Sequence, residues 1–241
     1  MDMNDSIRAG LDSLAAQMAE GVAEIKPRLR GWLHLASAPL ALAAGVVLIA
    51  LSPTAATRFG SAVYVASAVL LFTVSAVYHR GHWSLRVRGV LRRLDHANIF
   101  LLIAGTYTPY CLLLLRGTDR VLMLIAIWTA ALLGVAFRVL WIDAPRRLCV
   151  PVYSALGCAA VFVLPQFAAG SLRLGVGVGV AVLALIALGG LLYVLGGVVY
   201  GVRRPDPWPR YFGFHEVFHS LTVLAFVAHY VGVSLATYSL R

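Results

Sequence analysis

The sequence predicts an all-α integral membrane protein with seven transmembrane helices, its N-terminus in the cytoplasm and its C-terminus outside. The chain has 241 residues, of which 61% are apolar and 12% are charged, whereas soluble proteins are about half apolar and a quarter charged. Its mean hydropathy is +0.85. Apolar runs of about 20 residues, the length that crosses a hydrocarbon core of about 30 Å, alternate with short loops. Lipid is therefore the expected solvent for most of the chain.

Residues 1–30 are predicted to form a cytoplasmic amphipathic segment, ahead of a single membrane domain at 31–241. The segment has no long apolar run, but its apolar side chains recur at helical spacing with polar side chains on the other face. These apolar residues are Ile7, Leu11, Leu14, Met18, Val22 and Ile25. The pattern is typical of a helix that lies on the membrane surface or on the bundle, and we expect Pro27 to end or bend it.

Seven apolar runs follow, each with the length and composition of a membrane span. They are predicted at about 31–51, 60–79, 94–115, 120–142, 148–165, 173–200 and 212–236. The fifth is short and is expected to end at Pro165, whereas the sixth is long and rich in glycines that would let helices approach closely. The three cysteines lie in or beside these runs without metal-ligand spacing, so they are expected to be packing residues. They are Cys111, Cys149 and Cys158.

The distribution of basic residues predicts the orientation in the membrane. Of the 20 Lys and Arg residues, fourteen precede the first span or lie in the second, fourth and sixth loops, against five on the other side. Because basic loops stay in the cytoplasm, the N-terminus is expected there and the C-terminus outside. The basic residues are scattered over short loops rather than gathered on one soluble face, which argues against nucleic acid as a partner.

Four ionisable side chains are expected to meet near the cytoplasmic face. His79 ends the second span, Asp95 begins the third, and His215 and His219 lie in the first two turns of the seventh. His215 and His219 are four residues apart, so both imidazoles share one helix face about 6 Å apart along the axis. Ionisable groups inside a membrane are costly, which makes each a functional candidate.

Three imidazoles from two helices would leave one position open on a tetrahedral zinc ion, as in catalytic sites. Asp95 could then orient and deprotonate a water molecule in that position, or hold a ligand in place. Ser75, one turn deeper than His79, could hydrogen-bond a substrate carbonyl or that water. The competing interpretation is a structural polar cluster without a metal, and helical periodicity and depth alone do not decide between the two.

The other histidines are interpreted as packing or interfacial residues. They are His34, His82, His96 and His229. His34, near the cytoplasmic end of the first span, is the best reserve ligand among them. Residues His215 to His219 also spell H-E-x-x-H, the motif in which Glu216 would serve as the general base of a zinc protease. This short motif is weak alone but adds to the argument for zinc.

At these residues the chain resembles the hemolysin III family, the bacterial branch of the progestin and adipoQ receptor group, which includes adiponectin receptors. Three motifs carry the resemblance, in order and at the expected spans. They are Ser75-x-x-x-His79, the run 94–100 with 103–109, and the run 212–219. The resemblance covers the chain from about residue 31 to the end.

The resemblance implies a seven-helix fold with an inward N-terminus and a zinc ion held by His79, His215 and His219. It also implies that Asp95 contacts the water bound to that zinc. The family's first-span motif places an acidic residue and an Asn ahead of a His, and only His34 matches it here. In receptor relatives a Gln often stands at the place of Glu216, which argues against a general role for Glu216 as a base.

The family also resembles alkaline ceramidases in its pattern of Ser, His and Asp. The leading hypothesis is therefore a zinc-dependent hydrolase of a lipid amide or ester in the bacterial inner membrane, with Asp95 as base and Ser75 orienting the substrate. Its partner would be a membrane lipid. A non-catalytic sensor of membrane state with a structural zinc is the alternative, and an intramembrane metalloprotease that uses Glu216 is the third hypothesis.

Overall fold

The computed structural model describes residues 27–241, and within that range it is built from helices joined by short loops. The predicted amphipathic segment lies almost wholly at residues 1–26, outside the described residues. The helices are α1 (Trp32–Ala50), α2 (Ala55–Arg80), α3 (Leu85–Leu114), α4 (Gly117–Leu140), α5 (Arg146–Gly157), α6 (Leu164–Leu172), α7 (Val176–Val202) and α8 (Phe214–Tyr238). A 3₁₀ segment, Cys158–Val163, joins α5 to α6.

Seven helical stretches are long and apolar enough to cross a membrane, with α5, the 3₁₀ segment and α6 together forming the fifth. Large apolar side chains on their outer surfaces are exposed, among them Leu40, Leu133 and Phe162 at 70%, 66% and 88%. Such surfaces need a lipid solvent, because a soluble protein rarely exposes large continuous apolar patches. The predicted all-α fold with seven transmembrane helices is therefore confirmed.

Consecutive spans pack against each other, and the first also contacts the seventh, so the bundle closes on itself. The most buried spans are the second, third and seventh, with 56%, 72% and 56% of their most apolar window inside the protein, against 22% or less for the others. These three spans carry all five predicted site residues. The site is therefore built on the innermost helices of the bundle.

The starts of α2 and α3 differ from the prediction. Thr54 ends the first loop with a capping box, in which its hydroxyl accepts from the Thr57 N–H at 3.2 Å, so α2 begins at Ala55 and not at 60. Ser84 caps α3 with a bond from the Val87 N–H, and α3 begins at Leu85 and not at 94. Its first turns are rich in arginine, so they do not form an apolar run that would identify them as part of the helix.

The fifth span is longer than predicted, and Pro165 does not end it. Pro165 lies in the first turn of α6, where a residue without an N–H leaves no helical hydrogen bond unmade. The irregular backbone just before α6 is bonded by Tyr107, whose hydroxyl donates to the Gly157 carbonyl at 2.6 Å and accepts from the Ala160 N–H at 2.7 Å. The span continues through this interruption and reaches Leu172.

The glycines of the sixth span allow close packing at some positions only. A Cβ at Gly179 would lie 2.5 Å from the Ser171 carbonyl oxygen, which confirms close approach there. A Cβ at Gly177 or Gly190 would meet no atom within 4 Å. Of the three cysteines, Cys111 and Cys149 are buried as expected, whereas Cys158 is exposed in the 3₁₀ segment. The prediction that all three are packing residues is therefore wrong for Cys158.

The orientation in the membrane stays a prediction, and fusions to the C-terminus test it. An alkaline phosphatase fused after Arg241 should be active, because this enzyme folds only outside the cytoplasm, and a fluorescent protein fused there should stay dark. The opposite pair of results would place the C-terminus inside and move the histidine end of the bundle to the outer face.

Candidate metal centre

The predicted site residues come from three helices that meet at one end of the bundle. His79 lies in the last turn of α2, Asp95 in the third turn of α3, and His215 and His219 in the first two turns of α8. The common depth inferred from the sequence is confirmed, since the side chains of His79 and His215 are in contact. His79 and His219 are buried and His215 is partly buried.

His79, His215 and His219 each offer a ligand atom, and these atoms all lie within 4.8 Å of one another. The imidazole rings are 4.5 to 5.3 Å apart, centre to centre. The Nε2 atoms of His79 and His215 are separated by 3.2 Å. Two nitrogens bound to one tetrahedral metal at 2.0–2.1 Å would be about 3.3 Å apart. The three histidines therefore lie close enough to hold a metal ion, and one of the three pairs already has the separation of bound ligands.

The donor set also fits a metal. Nδ1 of His219 is buried and has no hydrogen-bond partner in the part of the chain that the structure describes. A buried polar atom without a partner is costly, and a metal ion in a histidine cluster is one way to satisfy such nitrogens. Uncharged imidazoles from two helices suit the borderline ions that prefer nitrogen ligands.

Asp95 stands beside the three histidines rather than among them. Its Oδ2 atom lies 3.7 Å from Nε2 of His79, which is longer than a direct hydrogen bond. Ser75, one turn before His79 on α2, is buried and lines the same cavity as Asp95. The structure thus brings both predicted residues to the histidine side of the cavity, where a carboxylate could exchange protons with a bound molecule.

Glu216 is bonded to groups other than the three histidines. One carboxylate oxygen pairs with the Arg30 guanidinium, and the other accepts a hydrogen bond from the Gly213 N–H at 2.9 Å. With 1% of its surface exposed, Glu216 joins the chain ahead of α1 to the start of α8. Both of its oxygens are engaged, so in this arrangement the carboxylate links two parts of the chain.

The remaining histidines lie outside the three-histidine cluster. His34 is buried and stacks on His219, with ring centres 3.8 Å apart and planes at 12°. His96 bonds to the Arg92 carbonyl through Nδ1 at 2.7 Å. His82 lies in the loop between α2 and α3, and His229 lies more than two turns beyond His219 on α8. His34 thus packs against the predicted ligand His219, whereas the sequence indicated it only as a possible substitute ligand.

A cavity of about 1910 Å³ extends from this cluster into the bundle. The third, fifth and sixth spans supply most of its apolar wall. Val161 and Leu191 line it and are also 67% and 55% exposed on the protein surface, so the cavity reaches the lipid-facing side of the fifth and sixth spans. Its size is that of a long-chain lipid rather than of a small polar substrate.

Arg146 is a cavity residue that sequence reasoning assigned only to topology. Its guanidinium lies over the rings of Tyr200 and Phe214, 4.6 and 5.6 Å from their centres. Within residues 27–241 its buried Nη1 atom has no hydrogen-bond partner. Tyr200 and Phe214 also contact the His215 ring. A cation is thus separated from His215 by a single aromatic ring, at a place that spacing within single helices could not reveal.

Comparison with known proteins agrees with the resemblance seen in the sequence. Residues 22–230 match the family described as Haemolysin-III related. The chain is similar to a hemolysin-3 homolog of Bacillus subtilis (strain 168), with 30% identity over 70% of this chain and 76% of that protein. It is also similar to hemolysin-3 of Bacillus cereus, with 30% identity over 61% of this chain and 64% of that protein. An adiponectin receptor protein of Drosophila melanogaster is 29% identical over 63% of this chain and 36% of its own length.

Proposed function

The chain belongs to the Haemolysin-III related family of multi-pass membrane proteins, and from that premise we propose that it is a zinc-dependent hydrolase of a lipid amide or ester. One observation carries the proposal. Three histidine ligand atoms lie within 4.8 Å of one another, beside the Asp95 carboxylate, at the wall of a cavity of lipid size. Polar catalytic groups and a large apolar cavity together suit a substrate with one reactive carbonyl and a long chain.

His79, His215 and His219 would hold the zinc ion. When bound, zinc supplies Lewis acidity, which polarises a carbonyl group and makes water more acidic. Zinc is favoured because three neutral imidazoles with an open side match its catalytic sites, while magnesium and calcium prefer oxygen ligands. His34, stacked on His219, limits the rotation of that ring and so helps to hold its ligand nitrogen near the other two histidines.

Asp95 carries the proton in this mechanism. As the oxygen of water bonds to the carbonyl carbon, the Asp95 carboxylate accepts the proton that the water loses. When the C–N or C–O bond breaks, Asp95 returns that proton to the leaving nitrogen or oxygen. The Ser75 hydroxyl, on the cavity wall one turn from His79, donates a hydrogen bond that orients the carbonyl. The products are a fatty acid and an amine or alcohol.

The cavity explains how a lipid reaches these groups. Apolar side chains of the third, fifth and sixth spans surround the acyl chain, and the opening at Val161 and Leu191 admits it from the bilayer. With the predicted orientation, the reactive end of the substrate lies in the cytoplasmic leaflet. A membrane lipid therefore suits the cavity as a partner, with its reactive carbonyl at the polar end and its acyl chain at the apolar end.

Two other functions compete with hydrolysis. In a sensor of membrane state, the metal would tie α2 to α8, and the fact that the histidines come from these two helices favours this alternative. An intramembrane metalloprotease would need Glu216 as base, and its engagement by Arg30 and the Gly213 N–H disfavours that role.

A reconstituted hydrolysis assay tests the proposal. The purified protein, loaded with zinc in lipid nanodiscs, should release fatty acid from an N-acylated long-chain amine or from an acyl ester. Release should stop when the metal is chelated and return when zinc is added back. Metal analysis of the same preparation separates the alternatives, because a protein that holds zinc but hydrolyses neither class would contradict the proposal and favour the sensor.

A further inference from the structure

A second polar site lies at the far end of the cavity, deep in the membrane. His229 follows His219 by ten residues on α8, which places it about 15 Å further along the helix. Thr222 lies between them and lines the same cavity, so one face of α8 follows the cavity from the metal centre to His229. His229 is 6% exposed, and its Nδ1 atom is buried without a hydrogen-bond partner among the described residues.

Tyr193 of α7 packs against His229, and both residues line the cavity. The two rings stack with centres 5.7 Å apart and planes at 19°. The Tyr193 hydroxyl is buried near the Thr106 side chain, and within the described part of the chain it makes no hydrogen bond of ordinary length. A donor and a nitrogen acceptor thus lie together at the cavity wall, both with hydrogen-bonding capacity to spare.

The packing around His229 fixes its position. Tyr110 contacts the imidazole edge-on, with ring centres 5.9 Å apart, and its hydroxyl donates to the His229 carbonyl at 3.1 Å. Gly189 leaves room for the imidazole, because a Cβ at that position would overlap the ring. The polar pair is therefore held in one arrangement before any ligand arrives, which is what a recognition site needs.

Neither group has a role in the chemistry at the metal centre, because both lie too far from it. Polar atoms left unpaired in a membrane interior are costly, and those that persist there mark functional sites by default. Apolar residues of α7, including Leu183 and Ile186, line the cavity around them. A ligand chain that lies in this apolar cavity passes the polar pair at one point along its length.

We infer that His229 and Tyr193 recognise a hydroxyl group carried on the acyl chain of the lipid. A hydroxyl can donate to an imidazole nitrogen and accept from the tyrosine hydroxyl at the same time, whereas a keto group can only accept. The inference rests on the proposed function for one point only, namely that the carbonyl end of the lipid lies at the three histidines.

The length of α8 between the two sites sets the position of that hydroxyl. A C–C bond of about 1.5 Å advances an extended chain by roughly 1.25 Å per carbon. The distance of about 15 Å along the helix therefore corresponds to about twelve carbons from the carbonyl. The ligand class is a long-chain fatty acyl group with a hydroxyl about twelve carbons from its carbonyl.

Binding of hydroxylated fatty acids to the full-length protein tests this inference without relying on turnover. Zinc-loaded protein in nanodiscs is titrated with octadecanoate, 12-hydroxyoctadecanoate and 6-hydroxyoctadecanoate, and each dissociation constant is measured by calorimetry. The 12-hydroxy acid should bind about tenfold more tightly than octadecanoate, the ratio that one net hydrogen bond gives. The 6-hydroxy acid should show no such gain, since its hydroxyl falls short of the pair.

Two matched tyrosine variants keep the test specific. Tyr193→Phe should remove most of the preference for the 12-hydroxy acid while binding octadecanoate as well as the unaltered protein does. Tyr230→Phe is the control, because that hydroxyl donates to the Ala44 carbonyl at 2.9 Å and Tyr230 is not among the residues that line the cavity. His229→Phe should act as Tyr193→Phe does, and the milder tyrosine variant decides the matter if the histidine variant folds poorly.

Equal affinity of the unaltered protein for all three acids would overturn the inference and leave the pair as a site for buried water. A preference that survives Tyr193→Phe would overturn it as well. These outcomes are distinct from a failure of the proposed function. A protein that prefers the 12-hydroxy acid but hydrolyses no lipid keeps the binding site, and one that hydrolyses lipids without any preference loses only the site.

Discussion

Replacing Asp95 with Asn is expected to lower lipid hydrolysis by roughly 10²- to 10⁴-fold, the range typical for loss of a general base. The amide has nearly the shape of the carboxylate but cannot accept the proton that water loses. Because the three histidines are unchanged, the variant should keep its metal. Turnover in nanodiscs and metal content of the same sample, measured side by side, check both halves of this expectation.

Glu216→Gln is the matched control for Asp95→Asn, since each change removes one carboxylate near the histidines. Here turnover should persist and stability should fall, because the Arg30 guanidinium loses its buried anionic partner. Breaking a buried ion pair costs about 3–5 kcal/mol, and the amide, which still accepts hydrogen bonds, should cost that or less. If Glu216→Gln abolished hydrolysis at unchanged stability, the metalloprotease mechanism would replace the proposed one.

Loss of any one of the three histidines should strip the protein of its metal. His79→Ala, His215→Ala and His219→Ala each remove a direct ligand, so the metal affinity should fall by more than the 10- to 100-fold that loss of a ligand's hydrogen-bond partner costs. Added zinc should then no longer raise the thermal midpoint, because a bound ligand stabilises only the state that binds it. Elemental analysis and melting curves with and without zinc provide the measurement.

His82→Ala serves as the control for these variants, since His82 lies in the loop after α2, outside the three-histidine cluster. It should keep both its metal and its zinc-dependent rise in thermal midpoint. Full occupancy in all three ligand variants would show that the histidines do not form the metal site.

The seven spans and the end of the bundle where the site lies could be predicted from the sequence alone. Runs of about 20 apolar residues indicate where the chain contacts lipid. Because successive spans cross the membrane in opposite directions, His79, Asp95 and His215 are then expected at one depth. The start of α3 was missed because hydropathy detects lipid contact and not helix. The residues from Leu85 to Arg93 are helical, but four of these nine residues are arginines, so they do not form an apolar run.

Contacts between distant parts of the chain set the limit of sequence reasoning. Arg30 and Glu216 are 186 positions apart, so no spacing within a helix could pair them, and the sequence alone presents Glu216 only through its H-E-x-x-H motif. The interruption of the fifth span is likewise bonded by Tyr107, some 50 positions earlier. In both cases the bonding partner lies far away along the chain.

The opening of the cavity at Val161 and Leu191 has a consequence for how the rate of the proposed hydrolase is expressed. A substrate that arrives by lateral diffusion encounters the protein within the plane of the membrane. The concentration that sets the rate is therefore its mole fraction among the surrounding lipids and not its bulk molarity. Inert lipid or detergent then dilutes the substrate even when its total amount is constant. An apparent KM given in molar units would rise in proportion to the carrier present, and preparations can be compared only at equal surface composition.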